Sequence, residues 1–525
     1  MKTKTKTNIE SNIKKKSEKA VDFFKTIAIY LLTASMLVSA GLYINARQNA
    51  GQSAEIPWEK LRIIESGGAV VEKINENHIN PVQITVTAGN NSFTAIYDNS
   101  LILDIYKDFK QSVRDIFGVK SKCQRLDKEE GDELWIKCAE KENSVYIKYA
   151  GNYIYPVIYA FLDKEWDTDN SAEAFSGFSE KDRELSMVHE LFIVNEPSFC
   201  AAAKDTDGNV SVFVPESGIA NIIKSKINAE NLSEYNNIEG VIPCEFLKND
   251  EINAKTGING NNIRNLQLPA DFHLFYKYVT YSSVLKFSNP VLDENNKINA
   301  DQNFIRELFK VLNFNIENAG SHFINGGTAF RDGKNTVNFY NSGRIIYTGG
   351  IHLSKFLGYD SDYYTSYEKI KAASVFVSSL DANLTGNDCG IYLKKITSDP
   401  EENIEMFFSY YYGGIKIRTD GSDEGIAVRI NSDSITEVKI ESLSISSPEM
   451  IKNINPVLIL NGIDDLISQD MDMYNNPEET AQKYKLRYDK NRDKFIVNGF
   501  ELIYNYDTDY TESDNSPVKA AWEIK

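Results

Sequence analysis

The sequence predicts an α+β fold, with antiparallel sheets packed against helices, carried behind a single N-terminal transmembrane helix. Three observations lead there. A stretch of 21 uncharged residues, TIAIYLLTASMLVSAGLYINA, separates Lys25 from Arg47. Beyond it, segments of helical period alternate with short runs of strand period, punctuated by Asp207-Gly208 and Asp332-Gly333, dipeptides favoured in tight hairpins. The composition, 42% hydrophobic and 25% charged, suits a chain that builds cores, and 525 residues suffice for about three of them.

The uncharged stretch, residues 26–46, is long enough as a helix to cross roughly 30 Å of hydrocarbon. Ahead of it lie Lys2, Lys4, Lys6, Lys14, Lys15, Lys16, Lys19 and Lys25 against Glu10, Glu18 and Asp22, a balance of +5. The positive-inside rule then makes residues 1–25 a cytoplasmic basic tail and puts the large C-terminal region outside the cell membrane. A cleavable signal peptide is the competing reading, with Val38-Ser39-Ala40 as its cleavage site. The long lysine-rich head and the apolar run through Leu42, Tyr43 and Ile44 favour a retained, single-pass anchor. Ala28, Ser35 and Ser39, at spacings of seven and four, fall on one face of that helix. Small side chains there allow close approach to another membrane helix. From the whole-chain −18, the basic head leaves −23 for residues 47–525, a charge that repels nucleic acid.

Residues 47–60 read as a polar linker. The first ectodomain region, 61–265, opens with a helix over 101–117, where Leu101, Leu103, Ile105, Phe109, Val113 and Ile116 share a face. LWIKCA (134–139) and SVYIKYA (144–150) alternate as strands, and KDTDGNVSVFVP (204–215) reads as a strand pair. The polar, Asn/Gly-rich stretch 248–265 marks a boundary. In the middle α+β region, 266–393, Phe304, Ile305, Leu308, Phe309 and Leu312 line a helix. A meander over 323–350 follows, then a second helix begun by a Thr365/Glu368 capping box. The C-terminal α+β region, 394–525, has strands in NIEMFFSYYYGGIKI, EGIAVRI and ITEVKIESLSIS, a helix in PEMIKNINPVLILNGIDDLIS, and late strands in KYKLRYD, FELIYNY and VKAAWEIK.

Motifs that carry chemistry are met only in fragments. His189-Glu190 begins a zinc-protease pattern, but Ile193 stands where the second histidine belongs. Gly333-Lys334-Asn335-Thr336 lacks the earlier glycine of a phosphate loop, whose place Thr328 holds. Asp205, Asp207 and Asn209 start like a calcium loop, with Val210 where its glycine should be. Hairpins account for the last two, and His189 reads as a surface or half-buried histidine. No catalytic residue, metal or cofactor is assigned. The five cysteines lack metal or redox spacing; Cys123 and Cys138 allow either a disulfide or buried free thiols. The aromatic runs YYTSY (363–367) and FFSYYYGG (407–414) would serve a peptide- or wall-glycan-binding module if exposed. Abundant carboxylates leave a cell-envelope hydrolase as a further alternative.

Three stretches carry a family resemblance: the helix followed by GTAFRDGKNTVNFYNSGRIIYTGG; FFSYYYGGIKIRTDGSDEGIAVRINSDSITEVKIESLSI; and YKLRYDKNRDKFIVNGFELIYNY closing on SPVKAAWEIK with Trp522. In these, and loosely in the anchor, the sequence resembles the YycH/YycI family of bacterial single-pass membrane proteins. The resemblance covers residues 266–525. It implies a non-enzymatic accessory regulator of a cell-wall-sensing two-component histidine kinase, acting through ectodomain and transmembrane contacts. The implied partners are that kinase and a second YycH/YycI-like protein.

Overall fold

The computed structural model describes residues 76–96, 98–118, 120–162, 187–247, 266–267, 273–276, 281–292, 297–298, 303–314, 319–384, 389–399, 403–419, 422–452, 478, 487–489, 494–496, 500–506, 518–519 and 521–524. The anchor stretch with Ala28, Ser35 and Ser39, the linker and the 248–265 boundary lie outside these residues. Among the described residues no helix is long and apolar enough to cross a membrane.

A 3-10 turn, Glu76–Ile79, leads into β1 (Pro81–Ala88) and β2 (Asn91–Ile96). Asp98 caps α1 (Asn99–Ile116) by accepting the Leu101 N–H at 3.0 Å, and Ile102, Ile105, Tyr106, Phe109, Val113 and Ile116 form its buried stripe. Leu101 and Leu103 are only half-buried, so the true face is rotated slightly from the expected one. β3 (Lys122–Arg125) precedes α2 (Lys128–Ala139), then β4 (Asn143–Ile154) and α3 (Tyr155–Leu162). Next come β5 (Met187–Val194), β6 (Ala201–Lys204), β7 (Val210–Val214), α4 (Ser217–Lys226), α5 (Ala229–Ser233) and β8 (Ile242–Leu247).

α2 corrects one expectation. Leu134–Ala139 alternates like a strand, yet it is helical because Asp127 caps the segment and accepts the Glu130 N–H at 2.9 Å. Glu129 and Glu130 also suit the positive end of the helix dipole. Trp135, Cys138 and Ala139 then turn to one side, at helical spacing.

Short strands β9 (Leu266–Gln267) and β10 (His273–Tyr276) follow, then β11 (Tyr281–Ser288) and α6 (Asn303–Val311). Ile305, Leu308, Phe309 and Leu312 are buried as the period predicts. The meander is β12 (Gly320–Ile324), β13 (Gly327–Asp332), β14 (Asn335–Tyr340) and β15 (Arg344–His352). After α7 (Ser354–Leu357) comes α8 (Ser366–Leu384) with its capping box made: Thr365 N–H donates to Glu368 Oε2 at 2.7 Å, and Glu368 N–H to Thr365 Oγ1 at 3.2 Å. β16 (Cys389–Ser398), β17 (Ile404–Tyr412), β18 (Ile415–Thr419), β19 (Ile426–Ile430) and β20 (Ser434–Glu441) follow, β17 pairing antiparallel with β16, β18 and β19, and β19 with β20.

The helix expected over 448–468 is corrected in its first turn. Residues Ser444–Lys452 form β21, because β11, distant in sequence, supplies antiparallel partners from Tyr281 to Ser288. The rest of that segment lies outside the described residues. β22 (Arg487–Asp489), β23 (Lys494–Ile496), β24 (Phe500–Tyr506), β25 (Val518–Lys519) and β26 (Ala521–Ile524) complete the order.

Among the described residues the strands make two large sheets and two small ones. The first large sheet runs β10-β8-β2-β1-β4-β5-β6-β7-β3. The second runs β12-β13-β14-β15-β20-β19-β17-β18-β24-β26, with β16 paired to β17, so it takes strands from both sides of position 393. One apolar core, from Ile79 to Tyr504, is continuous through both. A separate cluster of Trp135, Cys138, Phe192, Phe199 and Ala202 lies under α2. The architecture is α+β, antiparallel sheets packed with helices, as the sequence predicts.

Candidate functional site: the seam between the sheets

The two large sheets meet where β4 lies against β16, and irregular strand geometry makes the meeting possible. The β4–β5 pairing shifts register between Lys148 and Tyr153, and the β16–β17 pairing shifts between Leu393 and Lys395. Such bulges free carbonyls from the ladder and bend the strand. The Leu393 carbonyl accepts a short hydrogen bond from the Tyr153 hydroxyl. Gly151 sits so close that a Cβ there would lie 2.5 Å from the Lys394 carbonyl oxygen and 2.8 Å from that of Leu393. Only glycine fits this approach.

Other polar groups tie the seam. Tyr392 Oη donates to Asn99 Oδ1 at 2.6 Å, joining β16 to the start of α1. Tyr392 also packs edge-on to Tyr411, with ring centroids 4.9 Å apart. The lead-in turn enters this seam directly. His78, Ile79 and Asn80 are buried, His78 completely, against β16, β4 and α3. His78 Nδ1 is 3.0 Å from Ser374 Oγ on α8, and its ring stands edge-on to Phe408 at 5.2 Å. Burial pushes the His78 pKa down to about 3, so the imidazole is neutral at ordinary pH.

Beside the seam on β16 is a nest of charge. Asp423 lies 2.7 Å from Arg418, 3.8 Å from Lys416 and 3.9 Å from Lys394, and Lys394 also reaches Glu424 at 3.3 Å. Burial alone would raise the Asp423 pKa; Lys416, Arg418 and Lys394 overcome it and hold the group at about 2. Glu190 on β5 behaves the same way. Its burial is outweighed by Lys204, Lys148 and His189, leaving a pKa of about 2. Lys204 in turn lies 4.6 Å from the centre of the Trp135 ring. These carboxylates are held ionised, the opposite of what a proton-donating acid of a glycosidase requires.

The structure scatters the residues the sequence singled out. His189 is half-buried and donates from Nδ1 to the Gly151 carbonyl at 3.0 Å, so it braces the seam. Asp205 accepts from the N–H groups of Asp207 and Asn209 at 2.9 and 2.8 Å, closing a hairpin whose Gly208 has φ +85. Gly333, at φ +59, makes the β13–β14 turn. Among the described residues no group of three or more His, Cys, Asp or Glu is placed to hold a metal ion.

No disulfide joins Cys123 to Cys138. Cys123, on the edge strand β3, packs on the continuous core, and Cys138, on α2, packs in the separate cluster. In the aromatic runs Tyr364, Phe408, Tyr410 and Tyr411 are buried, and Tyr363 alone of these is exposed, at 46%. That distribution speaks for packing over ligand stacking. The seam itself has no sequence signature. Its partners are 240, 293 and 296 residues apart, and only Gly151, a glycine inside a strand-period run, hints at a close approach.

No family model matches this chain, and no curated protein matches it. Among solved structures it is similar to the crystal structure of YycH from Bacillus subtilis, at 10% identity and a TM-score of 0.44. The similarity covers 88% of this chain and 96% of that one. A likeness of that size carries no argument about ancestry or activity.

Proposed function

We propose that this chain is a non-enzymatic, membrane-anchored accessory regulator of a sensor histidine kinase. Residues 26–46 span the membrane once, and the bulk of the chain lies on the extracytoplasmic side. It works through contacts of its ectodomain and its transmembrane helix, with a second YycH/YycI-like protein as a further partner and without cofactor or nucleic acid. The sequence resemblance over 266–525 and the uncharged stretch behind eight lysines support this reading.

The observation that carries it is the burial of the lead-in turn. The first described element after the anchor is wedged between both sheets, with His78 and Ile79 at 0% exposure. The reading requires residues 47–75 to pass a displacement of the anchor on to the seam, where packed interiors resist gradual deformation. Regulation of this kind needs a difference in contact free energy between two kinase states of about 1–3 kcal/mol.

The test exchanges residues 26–46 of the full-length protein for an unrelated apolar span and reads kinase-dependent transcription in the native cell. Loss of regulation with the protein still present at the membrane is expected. Unchanged output would remove the transmembrane part of the proposal.

A further inference from the structure

The two large sheets end differently. β3 closes one with Lys122, Cys123, Gln124 and Arg125, and its exposed cations guard the edge against strand addition. β12 ends the other with Gly320, Ser321, His322, Phe323 and Ile324, without lysine, arginine or proline. Among the described residues no strand pairs with β12 on the side away from β13. Every residue of β12 but Ile324 is exposed, and Phe323 is 92% exposed. A lone exposed phenylalanine would mean little; one on an open, unguarded strand edge is a different matter.

Register fixes what each face of β12 offers. Phe323 stands opposite Thr328 and Ser321 opposite Phe330, and Phe330 packs edge-on against Phe309 and Phe339. Phe323 therefore continues the core face of the sheet, one strand past the last core residue. On the other face His322 opposes Ala329, and Gly320 opposes the exposed Arg331. Open space surrounds the point where a Gly320 side chain would begin. The long Arg331 side chain can thus lie across β12 toward a strand added beyond it. Lys334, exposed at the next turn, adds positive charge to the same end.

We propose that β12 is a docking edge for an extended segment of another protein, one that alternates apolar with acidic side chains. Alternate residues of β12 turn their backbone groups outward and would pair with the incoming strand. Its apolar side chains cover Phe323 on one face, and its carboxylates answer Arg331 on the other. A second copy of this chain fits less well. Two β12 strands paired about His322 bring no carboxylate near Arg331, and a pair this short falls below the roughly 1,200 Å² of a stable dimer. The inference stands independently of the kinase reading.

The test uses full-length protein in lipid nanodiscs and fluorescent, end-blocked peptides of about eight residues, enough for a strand. One alternates valine with glutamate, the other valine with lysine. The glutamate peptide should bind more tightly. Phe323→Lys should weaken it about tenfold or more, and Arg331→Glu should reverse the preference between peptides. Both replaced side chains are exposed, so neither change threatens folding. Equal affinity for the two peptides, no binding of either, or indifference to Phe323→Lys would overturn the proposal. Concentration-dependent dimers abolished by Phe323→Lys would reassign the edge to a second copy.

Discussion

The first large sheet is covered on both faces; β19 and β20 of the second are covered on one. β1 and β6 of the first are buried almost residue by residue, with α1 on one side and α2 with its Trp135 cluster on the other. β19 and β20 of the second alternate buried positions with half-buried or exposed ones. Their outer face carries ion pairs such as Arg429–Asp399, Lys439–Glu437 and Arg344–Glu441. The two regions therefore draw their stability from different sources. The first draws on packing from two sides, whereas β19 and β20 draw on one core and carry a partly solvated face.

Four measurements bear on this contrast, each by urea denaturation of the purified protein. Trp135→Ala should cost about 3–5 kcal/mol, the range for a large buried aromatic; a loss near that of a surface residue would mean that the outer cluster under α2 is no real core.

Acid should act next most strongly, through the seam. The folded pKa of His78 is depressed to about 3, from an ordinary value of 6.5. Below pH 6.5 the unfolded chain takes up a proton that the folded chain refuses. The stability is thus whole above 6.5 and falls as pH drops toward 3, by about 2–3 kcal/mol between pH 6.5 and 4.5. Below that, Glu190 and Asp423, both at about 2 in the folded state, add losses of the same sign. His78→Gln should flatten the slope in the upper window. An unchanged slope would place the acid sensitivity elsewhere.

Tyr153→Phe removes the seam hydrogen bond to Leu393 and should cost about 1 kcal/mol. A second, separate unfolding transition in that variant would show that the two sheets can part. The smallest effect belongs to the solvated face. Lys439→Ala should change stability by less than about 1 kcal/mol, because the pair with Glu437 is half in water. A larger loss would say that the face is less open than its alternation suggests.

What the sequence discloses follows the range of the interactions involved. α1, α6 and the capping box of α8 are local, set by apolar period and by caps such as Thr365 with Glu368. The hairpins at Asp207-Gly208 and Asp332-Gly333 are local too. α2 is hidden in the sequence because an alternating hexapeptide masks the cap at Asp127 seven residues before it. β21 is hidden because the β11 partners that make PEMIK a strand begin at Tyr281, far away in the chain. The seam combines His78, Asn99, Tyr153, Ser374, Tyr392 and Leu393, and no short motif could announce that grouping.

Those separations also set a timetable for biogenesis. The polypeptide emerges from its N-terminal end, and His78 meets Ser374 only after 296 further residues have been made. At about 5–20 residues per second that is a delay of roughly 15–60 s. Through that interval the nascent chain holds β4 and the lead-in turn without their β16 counterpart, a sticky surface awaiting its complement. A chaperone stationed where the protein emerges would therefore matter most for this half of the molecule, and a ribosome stalled before codon 390 would release a first sheet that cannot finish burying its own beginning.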